Sequence, residues 1–388
     1  MSLLTLVGAL PLVGAALIYL IPSKNTEVVK KFALLVTTLV AVVSIFLAIG
    51  FDKSVKTMQF TQSNSWISAF NINFAVGIDG ISLVLILLST ILVPIVVLAT
   101  WHESDGGRWS VKTFYVLILI LETMMIGVFA ATDLFLFYVF FEAMLIPVYF
   151  LIGGYGSANR SAAAVKFLLY SLFGGLLMLA SIIALYVMSG AQGGHTFDID
   201  KLAQLEMSST TQNLLFLGFF IAFAIKAPLW PFHTWLPDAA KSATPGTSVL
   251  LLGVLDKVGT FGMIRYCLTL FPEASKTFTP LIMVLAVISI IYGAFLAIGA
   301  KDIKRLIAYT SISHFGFITM GIFAMTSQSQ SGATLYMFNH GFSTAALFLI
   351  AGWMIWRRGQ TYLQTKKNPF QSWLYLTASQ YAPYFTAF

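Results

Sequence analysis

The stretch FFIAFAIKAPLWPFH, residues 219–233, places one lysine and two prolines in a segment that otherwise has the composition of a membrane-spanning helix. A charge at the middle of such a helix costs at least about 2.5–3.5 kcal/mol, so Lys226 is a candidate functional residue. Pro228 and Pro231 lack backbone N–H donors and break the helix. At membrane depth a broken helix is tolerated only against protein or a water-filled cavity. The stretch therefore predicts a helix break near 226–231 beside a site that can hold a charge.

The composition extends this interpretation to the whole chain. Hydrophobic residues make up 58% of the 388 residues, charged residues only 10%, and the mean hydropathy is +0.87. A soluble body of this size needs far more polar surface. A window of about 20 apolar residues predicts eleven membrane spans and thus an all-α, polytopic membrane helix bundle. The predicted spans are 2–21, 31–51, 78–100, 112–131, 133–153, 163–188, 213–232, 246–270, 278–299, 303–325 and 331–356. The longest connections, 52–77 and 189–212, are predicted to hold a hairpin and a short surface helix.

The basic residues predict the orientation, because short translocated loops are poor in Lys and Arg. The odd-numbered connections hold fifteen: Lys24, Lys30, Lys31, Arg108, Lys112, Arg160, Lys166, Lys241, Lys301, Lys304, Arg305, Arg357, Arg358, Lys366 and Lys367. The even-numbered connections hold four: Lys53, Lys56, Lys201 and Lys276. We therefore expect the N-terminus outside and the C-terminus in the cytoplasm. The net charge of +7 does not indicate a nucleic-acid partner, because these residues form no stripe.

Three more charged residues stand out inside predicted spans, and intramembrane charges are functional candidates by default. Glu142 lies in DLFLFYVFFEAMLIP, residues 133–147, while Glu122 and Lys257 lie in other spans. Acids and bases on different helices are what a membrane proton relay needs. The alternative is that Glu142 and Lys226 form a static ion pair that holds the bundle together.

Lys257 directly follows Asp256, and adjacent residues on a helix point about 100° apart. We therefore expect that they do not face one cavity as a pair: Lys257 faces the relay and Asp256 satisfies a neighbouring helix. Arg265, eight residues further, is predicted to extend to the membrane interface and to take no part in the relay.

His314 and His340 lie on the next two charge-poor spans. Imidazole titrates near neutrality, so these residues could pass protons between lysines. A structural role, as packed and hydrogen-bonded core histidines, is an equally good alternative. The histidines show no pair at metal-ligand spacing, and the single Cys267 forms no internal disulfide or cysteine cluster. We predict no metal site, and no cofactor motif is present.

At these residues the chain closely resembles the antiporter-like M subunits of bacterial NADH-quinone oxidoreductase, equivalent to subunit 4 of mitochondrial complex I. The motifs that carry the resemblance are GIDGIS (77–82), FFEAMLIP (140–147), KAPLWPFHTWLPDA (226–239) and IAYTSISH (307–314). Subunits L and N, and the large subunits of multisubunit sodium/proton antiporters, share the lysine-proline block. That block alone does not separate these families.

The resemblance implies an inverted-repeat antiporter fold and a subunit that translocates protons while other subunits transfer electrons from NADH to quinone. It implies that Glu142 and Lys226 serve the first half-channel, that Lys257 connects the two halves, and that His314 and His340 lie toward the second. FMN, iron-sulfur clusters and quinone are then expected in partner subunits, with no redox site in this chain. Subunits L and N are expected partners, and the expected location is the bacterial inner (plasma) membrane. The alternatives are a subunit of a secondary sodium/proton antiporter and a static structural membrane subunit.

The end of the sequence departs from the family pattern, which continues into a second broken helix with its own buried charge. Beyond about residue 360 the sequence is aromatic, contains Asn368-Pro369 and Pro383, and matches nothing expected. The prediction is an antiporter-like domain over 1–360 with an incomplete second repeat, an atypical tail over 361–388, and a truncated C-terminus.

Overall fold

The protein is a bundle of long apolar helices with one small hairpin. The computed structural model describes residues 2–358, so the predicted tail 361–388 lies outside the described residues. The helices are α1 Leu3–Leu20, α2 Thr26–Ile49, α3 Gly80–Ala99, α4 Val111–Ala130, α5 Leu134–Ala143, α6 Leu145–Tyr155, α7 Arg160–Ala191, α8 Ile199–Leu202, α9 Ser209–Lys226, α10 Trp235–Ser242, α11 Pro245–Leu250, α12 Lys257–Gly262, α13 Leu268–Leu270, α14 Pro272–Ile298, α15 Ile303–Phe323 and α16 Ser327–Arg358.

Eleven helical segments of the described chain are long and apolar enough to cross a membrane, as the sequence predicts. Two of them are composite. Helices α5 and α6 form one span over Leu134–Tyr155, and α11 to α13 form another over Pro245–Leu270. Two π-helical segments, Leu251–Leu255 and Met263–Cys267, interrupt the second composite span.

The two longest connections contain the elements predicted for them. Strands β1 Gln59–Ile67 and β2 Ile72–Ile78 pair antiparallel in the first, and the four-residue helix α8 lies in the second. The Asp79 carboxylate then caps α3 by accepting the Ser82 N–H at 2.8 Å. This carboxylate satisfies one of the free N–H groups with which every helix begins.

The connections separate into two groups that lie at opposite faces of the bundle. Lys112, after the third connection, donates to the carbonyl oxygens of Tyr19 and Ile21 at 2.8 and 2.7 Å, so the first and third connections meet. At the other end, the Asn71 side chain donates to the His195 carbonyl at 2.8 Å, which joins the second and sixth connections. We call the face of the odd-numbered connections the basic face.

Burial within the bundle is uneven. The apolar window of span Pro245–Leu270 is 94% buried and that of α4 is 83% buried, whereas that of α14 is only 28% buried. Large apolar side chains such as Phe295 and Ile298 of α14 are exposed, as expected where helices face lipid or another apolar partner. Helix α4 and the span Pro245–Leu270 therefore form the interior, and the buried charges lie on and around them.

The predicted helix break is present. Helix α9 ends at Lys226 and α10 begins at Trp235. Backbone groups released by the break find new partners: the Trp235 indole donates to the Ile225 carbonyl at 2.9 Å, and the Trp230 N–H donates to the Ser289 hydroxyl at 2.8 Å. Such replacement partners are what allow irregular backbone at membrane depth.

An acidic residue holds the second half of the broken helix at the basic face. Asp238 of α10 pairs with Lys166 of α7 at 2.7 Å and with Arg305 of α15. One carboxylate thus joins α10 to helices on either side of it. Since the three side chains are partly exposed, this contact fixes the position of α10 more than it adds stability.

Candidate proton-relay site

Lys226 is the last residue of α9 and Glu142 is the last but one of α5, and the bundle brings both into its interior. The Lys226 side chain is 1% exposed, and its Nζ has no hydrogen-bond partner within residues 2–358. The Oε1 atom of Glu142 is likewise buried and without a partner in that part of the chain. Within the described residues no ion pair of 4.0 Å or less joins the two side chains. The direct, static pair considered from the sequence is therefore not formed.

The Lys226 ammonium group instead faces aromatic rings. Its Nζ lies 4.8 Å from the centroid of the Phe141 ring and 5.8 Å from that of Phe167. A ring face attracts a cation, more strongly where water is excluded. This attraction offsets only part of the cost of burying an ammonium group. The site therefore favours a lysine that can give up its proton and become neutral.

Two glycines permit the close packing around these residues. A Cβ atom on Gly175 of α7 would collide with the Glu142 carboxylate, so any larger residue there would displace that group. A Cβ atom on Gly259 of α12 would lie 2.5 Å from the Ala227 nitrogen and the Phe223 carbonyl oxygen. Helix α12, which begins at Lys257, therefore packs directly against the end of α9 where Lys226 lies.

Lys257 lies at the centre of a buried polar cluster. Its Nζ contacts three groups: the Leu252 carbonyl oxygen at 2.5 Å, Asp256 Oδ1 at 3.0 Å and His340 Nδ1 at 2.8 Å. The side chains of Lys257 and Asp256 are both 0% exposed. Three partners for one ammonium group are its full donor capacity.

The expectation that Asp256 and Lys257 do not pair is wrong. The π-helical segment Leu251–Leu255 precedes them and changes the local geometry, so the 100° argument for a regular helix does not hold there. The long lysine side chain folds back toward the Leu252 carbonyl and so meets the carboxylate of its neighbour. By contrast Arg265 extends to Asp79 at the opposite face, at 2.6 Å, where it takes no part in this cluster.

The two histidines continue the cluster away from Lys257. The rings of His340 and His314 have centroids 5.3 Å apart. His314 Nδ1 is hydrogen-bonded to the Tyr336 hydroxyl, and His340 Nε2 lies 3.2 Å from the Thr344 hydroxyl. Lys257, His340 and His314 thus form a contiguous line, of which Lys257 and His340 are buried and His314 is half-buried.

Sequence reasoning did not include Tyr336 or assign Asp256 to the site. Tyr336 and His340 are four residues apart, a spacing that places them on one helix face, and this signal was available in the sequence. No comparable signal exists for Asp256, because its pairing depends on the π-helical segment. In the described part of the chain, no group of three or more His, Cys, Asp or Glu side chains could hold a metal ion.

Two family models match the chain. The model described as "NADH:quinone oxidoreductase/Mrp antiporter, TM" matches residues 131–377, and "NADH-ubiquinone oxidoreductase chain 4, amino terminus" matches residues 10–128. NADH-quinone oxidoreductase subunit M of Mycobacterium tuberculosis (strain H37Rv) is 50% identical over 92% of this chain and 70% of its own length. The Rhodobacter capsulatus subunit M is 40% identical over 90% of this chain and 70% of its own.

Solved structures share the fold. A chain of respiratory complex I from Thermus thermophilus with bound NADH superposes with a TM-score of 0.83 at 32% identity, covering 92% of this chain and 73% of that one. A chain of the Mrp complex from Dietzia sp. DQ12-45-1b superposes with a TM-score of 0.80 at 20% identity, covering 95% of this chain and 39% of that one. The second likeness is one of fold alone.

Proposed function

The chain belongs to the subunit M family of NADH-quinone oxidoreductase, and we propose that it carries protons along the buried line from Glu142 and Lys226 to the histidines. It is a multi-pass, antiporter-like membrane subunit of that complex, with other membrane subunits as its partners. The observation that carries the proposal is the buried contact of Lys257 with His340, near a helix break that begins at Lys226, whose Nζ has no hydrogen-bond partner among the described residues.

The chemistry of each group fits this role. A carboxylate, an amine and an imidazole each gain and lose a proton without breaking any other bond. The aromatic contacts of Lys226 do not lock its charge in place as a salt bridge would, and His340 offers a ring nitrogen directly to Lys257. A proton can therefore pass between neighbouring groups after small movements.

We further propose that the direct partners include subunits L and N, and that FMN, iron-sulfur clusters and quinone are bound by other subunits. The absence of any cofactor motif in this sequence supports the second point. A sodium/proton antiporter subunit remains the alternative function, supported by the fold it shares with the Mrp complex.

Purification of the native complex in mild detergent tests this function. We expect flavin and iron-sulfur absorbance to co-purify with the chain, and NADH oxidation by the reconstituted complex to acidify sealed vesicles. A complex that contains the chain but lacks both chromophores, and exchanges sodium for protons, would establish the antiporter instead. A complex that oxidises NADH normally without any proton movement would contradict the proposal.

We also propose that the basic face is cytoplasmic, in a bacterial inner membrane, and that the N-terminus lies outside. The fifteen-to-four partition of the basic residues supports this orientation. A reporter fused after Lys112 or Arg160 should be cytoplasmic, and one fused within residues 53–56 should be external. Enzymatic reporters active on only one side of the membrane measure this directly, and the reverse pattern would invert the topology.

A further inference from the structure

Glu122 of α4 is a buried ionisable residue that the proposed relay does not use. Its side chain is 0% exposed, and neither carboxylate oxygen has a hydrogen-bond partner within residues 2–358. An unpartnered buried carboxyl group is expensive, and such groups in native proteins call for an explanation. Because α4 is one of the most buried helices, contact with lipid headgroups does not explain why this carboxyl group lies there.

Helix geometry places Glu122 on the face of α4 that packs against α12, the helix that begins at Lys257. Glu122 and Phe129 are seven residues apart, so they share a face of α4, and the Phe129 ring contacts Phe261 of α12 with centroids 5.3 Å apart. Both helical spans run from the basic face inward. Glu122 lies about 10.5 Å nearer that face than Phe129, and Lys257 lies about 6 Å nearer than Phe261. Glu122 and Lys257 therefore lie at roughly the same depth in the bundle.

The same face of α4 leads from Glu122 to the basic face. Tyr115 is again seven residues away, and its buried hydroxyl has no hydrogen-bond partner among the described residues. The hydroxyl of Ser104, in the connection before α4, is also buried and forms no hydrogen bond of standard geometry with the described residues. Ser104 and the acidic residues Asp105 and Glu103 of this connection all lie within reach of the Tyr115 hydroxyl. Buried polar side chains thus follow one line from the basic face inward.

Glu103 is suited to the outer end of this line. It is half-buried, and its carboxylate accepts the Gly246 N–H at 3.0 and 3.1 Å where α11 begins. Burial raises the pKa of Glu103 to about 7, against the opposing effects of the Thr244 hydroxyl, the Gly246 N–H and the Lys304 charge. Lys304 is the charged group that faces it from α15, and Asp105 lies in its own connection. Glu103 can thus take up and release a proton near neutral pH.

We propose that Glu103, Tyr115 and Glu122 form a proton inlet from the basic face to the Asp256–Lys257 pair. The inference rests on the proposed proton-carrying function and adds a second point of entry, by which protons reach the central Asp256–Lys257 pair. A proton from bulk water protonates the Glu103 carboxylate, passes along hydrogen-bonded hydroxyl groups and water to Glu122, and reaches Asp256. At each step one O–H bond breaks as another forms, and no electron is transferred. The Oδ2 atom of Asp256, which has no partner in the described chain, accepts the proton at the inner end.

The decisive variant is Glu122→Gln, assayed as the assembled complex in inverted membrane vesicles with NADH. The amide keeps the size of the side chain but cannot carry a proton, so we expect proton uptake to fall about tenfold or more at unchanged complex abundance. Thr123→Val is the matched control: it removes the adjacent buried, unpartnered hydroxyl, which points about 100° away, and should pump normally.

The pH profile adds a readout that a merely structural role would not move. As the medium at the basic face rises through pH 7, Glu103 loses its proton, so wild-type uptake should fall. Glu103→Gln should slow uptake and abolish this dependence. Normal uptake by an assembled Glu122→Gln complex would overturn the inlet. If that variant fails to assemble, unchanged rates and pH profiles in both Glu103→Gln and Tyr115→Phe would overturn it.

These outcomes separate the inlet from the function on which it rests. Wild-type vesicles that oxidise NADH without taking up protons would refute the proposed function itself. Wild-type vesicles that pump, and that lose pumping on replacement of Lys226, would uphold the function whatever the result for Glu122.

Discussion

Glu142→Gln and Lys226→Ala should each lower NADH-driven proton pumping by about 100-fold, while the abundance of the assembled complex changes little. Lys226 has no hydrogen-bond partner in the described chain, and neither does Glu142 Oε1, so neither replacement breaks a direct contact between them. The expected defect is therefore one of transport. Proton uptake by inverted vesicles, measured beside complex abundance on native gels, separates the two effects.

The electrostatic argument concerns how readily these groups exchange a proton. Two unit charges about 6 Å apart attract by about 2.8 kcal/mol at an effective dielectric constant of about 20, and by about 1.7 kcal/mol at about 10 Å. A movement of a few ångströms thus changes the proton equilibrium of the lysine several-fold. Glu142→Asp should be milder than Glu142→Gln, because it keeps a titrating carboxylate and only shortens its reach.

A matched control for these replacements exists at the face opposite the basic face. Glu273 and Lys276 form an ion pair at 2.9 Å whose side chains are 69% and 65% exposed. Glu273→Gln and Lys276→Ala make the same chemical changes in water and should leave pumping unchanged, because exposed pairs contribute little. Normal pumping by Glu142→Gln at normal abundance would remove Glu142 from the relay.

The membrane architecture was largely predictable because hydropathy and helix length are local properties of the sequence. All eleven spans were found, and the break after Lys226 followed from Pro228 and Pro231. The hairpin and the short helix α8 followed from the two long polar connections. In lipid, each spanning segment must form its backbone hydrogen bonds within itself. Each span can therefore be predicted from its own stretch of sequence.

The pairing within the site was less predictable because it depends on irregular helix geometry and on contacts between distant helices. The π-helical segment before Asp256 has no local sequence signature comparable to a proline, so the Asp256–Lys257 contact was missed. The unpartnered state of Glu122 is likewise a property of packing. Buried charges can be located from sequence, but their partners require the three-dimensional arrangement.

Lys257→Leu should reduce both pumping and assembly, whereas the double variant Asp256→Asn/Lys257→Met should lose pumping but assemble nearly normally. Hydropathy alone predicts that Lys257→Leu leaves assembly intact, since a membrane helix accepts leucine readily. The structure changes that expectation, because the replacement leaves the fully buried Asp256 carboxylate without its cation. Removing one partner of a buried ion pair costs about 3–5 kcal/mol, whereas replacing both by neutral groups of similar size is often tolerated.

The comparison of the single and double variants separates transport from stability at this position. Both remove the ammonium group that contacts His340, so both should lower pumping per assembled complex by a similar factor. Only the single variant leaves an unpaired charge, so only its complex abundance should fall. Wild-type pumping by the assembled double variant would show that the Asp256–Lys257 pair is structural, and the proton path would then have to bypass α12.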